Sequence, residues 1–342
     1  MRLTGLMLFS LGLLTACGEQ PAQSTKIYAF GTEIDISIYG EDDEKFELTI
    51  GQLEETFNGV NDLWHAWQPS ILTKINDAIA AGETIAVDDN VATVIEQARQ
   101  LADDSAHLFN PAAGKLFSLW GFEQDDWFES RPPPAQTEID NWLAAQPTMD
   151  DIVIENGQLY SNNNMVKLGF GGFAKGYAVD AAIDVLQAND IHNAIINIGG
   201  DLRAIGQHGQ RPWNIGIRHP RQDGVLASVQ VHDNESVFSS GDYERYFEYE
   251  GERYPHILDP RTGYPANKAM SVTVIDTNAA RADAAATALF VAGSDWPHVA
   301  AEMQLQHVML MTADGILEMS PAMAERVKLI NYQDEPVLRD IR

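Results

Sequence analysis

The segment from Ser239 to Pro265 constrains the fold more than any other part of the chain. Aromatic and charged residues alternate from Tyr243 onward, which is the period of a half-buried strand. Glu250-Gly251 is typical of a turn, so the pattern predicts a β-hairpin. The return strand ends in a loop bounded by proline and glycine. Taken alone, this segment is an ordinary hairpin followed by a surface turn. The alternative is a functional loop, because the turn carries several polar or titratable residues: His256, Asp259, Arg261 and Thr262.

A glycine-rich stretch from Gly169 to Asp180 leads into helical periodicity. A glycine-rich turn that opens a helix offers free N–H groups and the positive end of the helix dipole to a phosphate. It is not a Walker A loop, because Lys175 is followed by glycine rather than by Ser or Thr. A Rossmann site is the alternative, on the weak ground that three residues fit a lone G-x-G-x-x-A pattern: Gly169, Gly171 and Ala174.

The remaining periodicity predicts short strands mixed with helices and shows no internal repeat. Strands are predicted at 27–39, 152–154, 158–160, 165–168, 193–201, 213–220, 225–231 and 270–276, with one or two more after His307. Helices are predicted at 44–67, 91–105, 177–186 and 281–293. Residues 124–136 are acidic and rich in proline, which predicts a surface loop within one domain.

The composition limits the classes of partner. The chain has 342 residues, 45% of them hydrophobic, and a formal net charge of −28. The hydrophobic fraction is ordinary for a globular protein with a large core. The negative charge argues against nucleic acid as a partner and against docking on an anionic membrane by charge.

The N-terminus predicts export and lipidation. Residues 1–16 contain one basic residue, Arg2, and an apolar run too short to span a bilayer. The run ends in Leu-Thr-Ala-Cys17, which resembles a bacterial lipobox, and Cys17 is the only cysteine of the chain. We therefore expect a lipoprotein signal peptide at 1–16, lipidated Cys17 with a polar linker over 17–26, and a single domain over 27–342. An ordinary signal peptide with an incidental cysteine is the alternative.

Several segments together resemble one known family. Residues 239–265 resemble S-G-x-Y-E-R-Y-F followed by H-I-x-D-P-R-T-G-x-P, and residues 109–122 resemble F-D-P-T-x-G-P-L-x-x-L-W-G-F. Residues 169–176 resemble D-L-G-G-I-A-K-G, and 197–201 match N-x-G-G-D. These are signatures of the ApbE family, the FAD:protein FMN transferases, and the resemblance covers nearly the whole mature chain.

The resemblance implies a fold and a reaction. The fold is α+β, with a mixed, mostly antiparallel core sheet and flanking helices. The reaction splits FAD, attaches FMN to a Ser or Thr hydroxyl of a target protein and releases AMP, with Mg²⁺ as cofactor. The implied partners are FAD and the acceptor flavoproteins of extracytoplasmic redox complexes.

The resemblance also implies site residues. His256 is expected to be the base or proton shuttle. The metal ligands are expected to be the Gly172 carbonyl, Asp283 and Thr287; the last two are four residues apart and so share a helix face. FAD contacts are expected from ten residues: Phe30, Trp67, Phe109, Asn110, Gly169, Lys175, Asp201, Ser240, Ile257 and Thr262.

The chain departs from the family pattern at four of these positions or their neighbours. Phe30 replaces Met, Asn110 replaces Asp and Ala112 replaces Thr. Gly169 replaces the Asp that contacts FAD, so either a neighbour supplies the carboxylate or the nucleotide affinity differs. From local pattern alone, Phe30 and Trp67 are core residues, and Asp201 is a turn residue that satisfies its own backbone. Asp259 and Arg261 could equally pair with each other and shape the turn.

Three functions remain open from the sequence: an FMN transferase, a hydrolase that cleaves FAD to FMN and AMP, and a non-catalytic FAD-binding lipoprotein. The expected location is the bacterial cell envelope, facing the periplasm through a lipid anchor. Gly18 after the lipidated cysteine permits transfer to the outer membrane, whereas the family mostly works at the inner membrane.

Overall fold

The computed structural model describes residues 22–342. The predicted signal peptide, Cys17 and residues 18–21 lie outside the described residues. The first strand starts at Ala22, so residues 22–26 belong to a strand and not to a polar linker. Within the described range, no helix is long and apolar enough to cross a membrane.

Nine helices and nineteen strands follow one another in the described part of the chain. The helices are α1 Asp43–Trp64, α2 Ile71–Ala81, α3 Asp89–Asp104, α4 Gly114–Leu119, α5 Gln136–Ala145, α6 Ala174–Ala188, α7 Ala279–Ala292, α8 Trp296–Glu302 and α9 Pro321–Arg326. The strands are β1 Ala22–Ala29, β2 Thr32–Tyr39, β3 Ile85–Ala86, β4 Ile152–Glu155, β5 Gln158–Ser161, β6 Ala194–Ile198, β7 Asp201–Ile205, β8 Trp213–Arg218, β9 Val225–Val231, β10 Glu235–Gly241, β11 Tyr246–Tyr249, β12 Glu252–Pro255, β13 Leu258–Asp259, β14 Tyr264–Pro265, β15 Ala269–Asp276, β16 His307–Thr312, β17 Leu317–Met319, β18 Val327–Leu329 and β19 Val337–Leu338.

A nine-stranded sheet forms the centre of the molecule, in the order β1-β2-β6-β7-β10-β15-β16-β17-β19. Its neighbours are antiparallel except for β17 and β19, which are parallel. The α+β fold class with a mixed, mostly antiparallel core sheet is therefore confirmed. The sheet also excludes a Rossmann site at Gly169, because the strands that follow α6 pair as antiparallel hairpins rather than as a parallel βαβ unit.

Both faces of the central sheet are covered. On one face the inward side chains of β2, β6 and β15, such as Ile36, Ile196 and Val274, join the core formed with the helices. On the other face Leu202 and Met309 pack against the small sheet β18-β9-β8. Alternation along each strand sends successive side chains to opposite faces, which is why one sheet can serve two cores.

A third, aromatic cluster lies outside the central sheet and holds the predicted hairpin. Strands β11 and β12 pair antiparallel, and Glu250 and Gly251 between them both have positive φ (51° and 85°), as a two-residue hairpin turn requires. Phe247 stacks on Tyr254 with 5.2 Å between ring centroids, and Trp120 packs against both. The hairpin predicted from the alternation is confirmed.

Most predicted elements are confirmed within a few residues, and the exceptions have local causes. The strand predicted at 27–39 is two strands, because Phe30 and Gly31 form a turn with φ of 56° and 68°. The strand predicted at 165–168 is wrong: this segment makes a single bridge, from Lys167 to Ala113, and otherwise runs as a loop. Helix α2 was not predicted, although Ser70 caps it in a capping box with Thr73.

Helices α6 and α7 cross at close range, and each satisfies the backbone of the other. A Cβ on Gly176 would overlap the carbonyl oxygen of Ala279, so only glycine allows this approach. Asp180 on α6 accepts hydrogen bonds from the first N–H groups of α7, at Ala279 (2.9 Å) and Ala280 (3.0 Å), and forms an ion pair with Arg203. Asp180 therefore acts as the N-terminal cap of a helix other than its own.

Replacing Asp180 with Asn is expected to destabilise the protein. Asn has one acceptor atom where two N–H groups and a guanidinium need partners, so about 2 to 3 kcal/mol of the free energy of unfolding should be lost. The measurement is urea denaturation. The matched control is Asp184→Asn, an exposed position one turn further along the same helix; equal midpoints for the two variants would contradict the capping role.

Candidate functional site

The candidate site is built around an ion pair between Lys175 and Asp201. Lys175 lies in the first turn of α6 and Asp201 is the first residue of β7. The ammonium of Lys175 and the carboxylate of Asp201 are in direct contact as an ion pair. Asp201 also accepts a hydrogen bond from the backbone N–H of Ser239 (2.8 Å). Its partners are therefore on other elements, and the interpretation of Asp201 as a turn residue that bonds its own backbone is wrong.

Lys175 stays positively charged in this setting. Burial would lower the pKa of its ammonium, but the carboxylates of Asp201 and Asp283 raise it above its ordinary value. A fixed positive charge at the start of a helix, where the dipole is also positive, is suited to a phosphate group.

Asp283 is the second carboxylate of the site. It is buried in the first half of α7, with 6% of its surface exposed, and accepts a hydrogen bond from the N–H of Gly176 (2.9 Å). Burial raises its pKa to about 7; the Lys175 charge lowers it and the Asp201 charge raises it. A buried carboxylate with this little compensating positive charge is suited to a cation.

The other two predicted metal ligands lie beside each other. The hydroxyl of Thr287, one turn beyond Asp283, is 3.4 Å from the Ser240 hydroxyl. A Cβ placed on Gly172 would be 3.4 Å from the Thr287 hydroxyl and 3.1 Å from the Phe109 ring. A carboxylate, a hydroxyl and a backbone carbonyl are hard oxygen donors, so this set fits Mg²⁺.

His256 reaches the site from the end of the β11–β12 hairpin. Its Nδ1–H donates to the Arg245 carbonyl (3.1 Å), which fixes the tautomer and leaves Nε2 as an acceptor. Burial lowers its pKa to about 4, helped by the charges of Arg245 and Lys175. The ring is therefore neutral at neutral pH, and Lys175 lies close enough for its positive charge to lower the pKa of His256.

The turn between β1 and β2 carries Phe30 and lies next to Arg245. Phe30 is half-buried, and its N–H donates to Asn61 (3.1 Å). Its positive φ is unusual for a residue with a bulky side chain, so contacts with the surrounding structure hold the backbone in this conformation. A Cβ on Gly31 would be 3.8 Å from the Arg245 guanidinium, so the turn lies next to the residue that orients His256.

Three further predicted FAD contacts, Phe109, Asn110 and Trp67, lie on other segments of the chain. Phe109 is buried against Phe173, while Trp67 is half-buried and donates through Nε1 to Asp125 (2.8 Å). The amide of Asn110 is already used within the protein, donating to the Pro147 carbonyl (2.9 Å) and accepting from the Ala112 N–H (3.0 Å). Asn110 thus shapes the loop, and its amide has less capacity left for a nucleotide.

Two predicted contacts do not join the cluster around Lys175. Thr262 is exposed, and its hydroxyl bonds within the β13–β14 turn, to the Asp259 carbonyl (3.4 Å) and the Tyr264 N–H (3.3 Å). Ile257 is buried and its carbonyl accepts from Ala266 (2.8 Å). Arg261 forms a two-point ion pair with Asp259 (2.9 and 2.7 Å), so that pair does shape the turn.

Two residues that hold the site together were not predicted from any local pattern. Asp180 caps α7, and thereby sets the position of Asp283 and Thr287. Asn76 clamps the start of the glycine-rich loop, accepting from the Leu168 N–H (2.6 Å) and donating to the Leu168 carbonyl (2.8 Å). Both act on segments about a hundred residues away, which no local pattern reveals.

Comparison with known proteins points to one family. The ApbE family model matches residues 30–310. An FAD:protein FMN transferase of Rhodobacter capsulatus is 38% identical over 337 residues, which are 96% of this chain and 63% of that relative. One of Vibrio cholerae is 32% identical over 91% of this chain and 94% of its own length. The crystal structure of the ApbE protein of Thermotoga maritima superposes with a TM-score of 0.81 at 32% identity, covering 89% of this chain and 99% of that one.

The low pKa of His256 predicts a pH dependence of stability. Its ordinary pKa is 6.5 in the unfolded chain and about 4 in the folded one. As pH falls from 7 to 4.5 the unfolded chain gains a proton that the folded chain does not, so this residue alone should remove about 2 kcal/mol of unfolding free energy. We expect His256→Gln to lose that much less stability than the parent between the two pH values in urea denaturation. His298→Gln, at an exposed position, is the control; the same pH response in both variants would contradict the assignment.

Proposed function

The chain belongs to the ApbE family, and on that premise we propose that it is an FAD:protein FMN transferase that modifies a Ser or Thr hydroxyl of a target protein and releases AMP. The observation that carries the proposal is the convergence of α6, α7, β7, β10 and the hairpin end on one site. Each supplies one of the groups that such a reaction needs: Lys175, Asp283 with Thr287, Asp201, Ser240 and His256.

Binding of FAD is assigned to the start of α6. The diphosphate of FAD is anionic, and the Lys175 ammonium together with the positive end of the α6 dipole attracts it. Asp201 orients Lys175 through their ion pair and is itself fixed by the Ser239 N–H. We assign the half-buried rings of Phe30 and Trp67 to apolar contacts with the aromatic parts of the ligand.

Mg²⁺ is assigned to the carboxylate of Asp283, the hydroxyl of Thr287 and the carbonyl of Gly172. When bound there, it supplies positive charge that stabilises the developing negative charge on the diphosphate oxygens. Asp283 is kept in place by the Gly176 N–H, which leaves its second oxygen without a hydrogen bond from the described residues. The Thr287 hydroxyl is also the neighbour of Ser240, so both hydroxyls face the same space.

The transfer step needs an acceptor for one proton. The hydroxyl oxygen of the target protein forms a bond to the phosphorus on the FMN side, and the bond from that phosphorus to the AMP phosphate oxygen breaks, with its electron pair leaving on AMP. Nε2 of His256 accepts the hydroxyl proton, because Nδ1 already donates to the Arg245 carbonyl. The negative charge of the bound diphosphate favours the protonated imidazole that results.

The proposed setting is the periplasmic side of the cell envelope, with Cys17 as the lipid-modified anchor and acceptor flavoproteins of extracytoplasmic redox complexes as partners. The support is the lipobox-like sequence before Cys17 and the length of the apolar run, which is too short for a membrane span. The strong negative charge of the chain supports anchoring by lipid over anchoring by charge.

The proposal is tested by mass spectrometry of a flavin-acceptor domain after incubation with the protein, FAD and Mg²⁺. The expected result is a mass gain equal to FMN on a Ser or Thr, lost with a chelator and lost in Asp283→Ala. Asp295→Ala, at an exposed position, is the matched control. Free FMN and AMP with an unmodified acceptor would instead identify a hydrolase, and no turnover of FAD would leave only a binding protein.

His256→Ala is expected to keep FAD affinity and to lose FMN transfer by about 10²- to 10⁴-fold, the usual effect of removing a proton acceptor. FAD binding is measured by calorimetry and transfer by the rate of acceptor modification. The exposed His298→Ala serves as control. An unchanged transfer rate in His256→Ala would remove this residue from the proton transfer, and a parallel loss of FAD binding would make it a binding residue.

A further inference from the structure

The space beside Gly169 is occupied by a carboxylate from another part of the chain. A Cβ built on Gly169 would lie 3.3 Å from Oε1 of Glu123, and one on Gly114 would lie 3.2 Å from the same oxygen. Gly169 therefore leaves room for the Glu123 side chain, whereas at Gly114 a Cβ would first meet the Lys167 carbonyl oxygen, at 2.6 Å. Gly169 has no positive φ, so the need for backbone freedom does not explain the glycine there.

Glu123 is held firmly by one of its two oxygens. Oε2 accepts from the Ser118 hydroxyl (2.6 Å) and forms an ion pair with Lys167, and only 7% of the side chain is exposed. Among the described residues, none donates a hydrogen bond to Oε1. Burial raises the pKa of Glu123, and Lys167 offsets part of that effect. A carboxylate oxygen that has no donor, on a side chain almost entirely removed from water, is a position where a ligand donor is expected.

The residues around Glu123 are those expected to contact the nucleotide. Two positions along the chain, Asp125 bonds the Trp67 indole (2.8 Å). On the other side, Gly169 donates to the Pro111 carbonyl (2.8 Å), and the loop that it opens leads to Gly172 and Lys175. Glu123 thus lies between the Trp67 side of the site and the glycine-rich loop.

We propose that Glu123 is a specificity-determining residue whose Oε1 accepts a hydrogen bond from an N–H or O–H group of FAD. The inference rests on the proposed function and adds to it a binding residue that directly follows the motif of residues 109–122. Glu123 takes the place of a carboxylate at 169, the position where the sequence pattern expects Asp. The two carboxylates exclude each other, because an Asp at 169 would put a second negative charge into the space that Oε1 fills.

The test is a cycle of variants read by calorimetric titration of FAD into the detergent-solubilised full-length protein. Glu123→Ala is expected to raise the Kd about tenfold or more, as loss of a hydrogen bond to a charged group does. Gly169→Asp alone is expected to weaken binding as well, through crowding and repulsion. Combined with Glu123→Ala, Gly169→Asp is expected to restore most of the lost affinity. Glu129→Ala, on the same loop and exposed, is the matched control.

Titrations of AMP and of FMN locate the contact. A weaker affinity confined to AMP assigns the donor to the adenosine half of FAD, and one confined to FMN assigns it to the flavin half. Unchanged affinity of Glu123→Ala for all three ligands overturns the inference, as does equal weakening by Gly169→Asp in both backgrounds. If Glu123→Ala does not fold, Glu123→Met, which is similar in size and has no oxygen acceptor, decides by the same criterion.

These outcomes separate the inference from the proposed function. FAD affinity that follows the cycle while no FMN reaches an acceptor keeps Glu123 as a binding residue and overturns the transferase. FMN transfer with an FAD affinity that is insensitive to Glu123 keeps the transferase and overturns the inference.

Discussion

The close crossing of α6 and α7 is the contact on which the site depends. Gly176 has no side chain, so the first turn of α7 can rest directly on α6. Each helix then satisfies the backbone of the other: Asp180 accepts from the first N–H groups of α7, and Asp283 accepts from the Gly176 N–H near the start of α6. A helix start that is buried without such partners would be costly, so the same bonds that fix the crossing also place a carboxylate beside the glycine-rich loop.

This arrangement creates an electrostatic imbalance that is useful for binding. Two carboxylates, Asp201 and Asp283, face the single ammonium of Lys175, and burial weakens the screening of their charges. Burial raises the pKa of Asp283 to about 7, because Lys175 compensates only part of the negative charge on this carboxylate. An anionic diphosphate would add to the negative charge, so a divalent cation held by Asp283, Thr287 and Gly172 is the natural complement to Lys175.

The site takes residues from two different parts of the fold besides α6 and α7: the central sheet and the β11–β12 hairpin. The central sheet, buried on both faces, holds Asp201 and Ser240 at strand ends, where side chains can leave the core. His256 comes instead from a hairpin that is stabilised by its own aromatic cluster around Trp120 and Phe247. The Arg245 carbonyl, just before β11, accepts hydrogen bonds from both the backbone N–H and the ring Nδ1–H of His256, just after β12. The pairing of the two hairpin ends therefore sets the orientation of the base.

The sequence alone determined the features that depend on short-range pattern. Alternation and a Glu-Gly turn predicted the hairpin, helical periodicity predicted α1, α3 and α7, and a spacing of four placed Asp283 and Thr287 on one face. The ordered motifs also predicted the family. These succeed because hydrophobic period, turn chemistry and motif order are properties of neighbouring residues.

Only the tertiary structure decided which distant groups meet. It paired Asp201 with Lys175, made Asp180 the cap of another helix, turned the chain at Phe30 and put Glu123 in the space beside Gly169. It also kept Thr262 in its own turn and used the Asn110 amide within the protein. Each of these outcomes depends on contacts between segments far apart in the chain, and the packing that creates them has no periodic trace in the sequence.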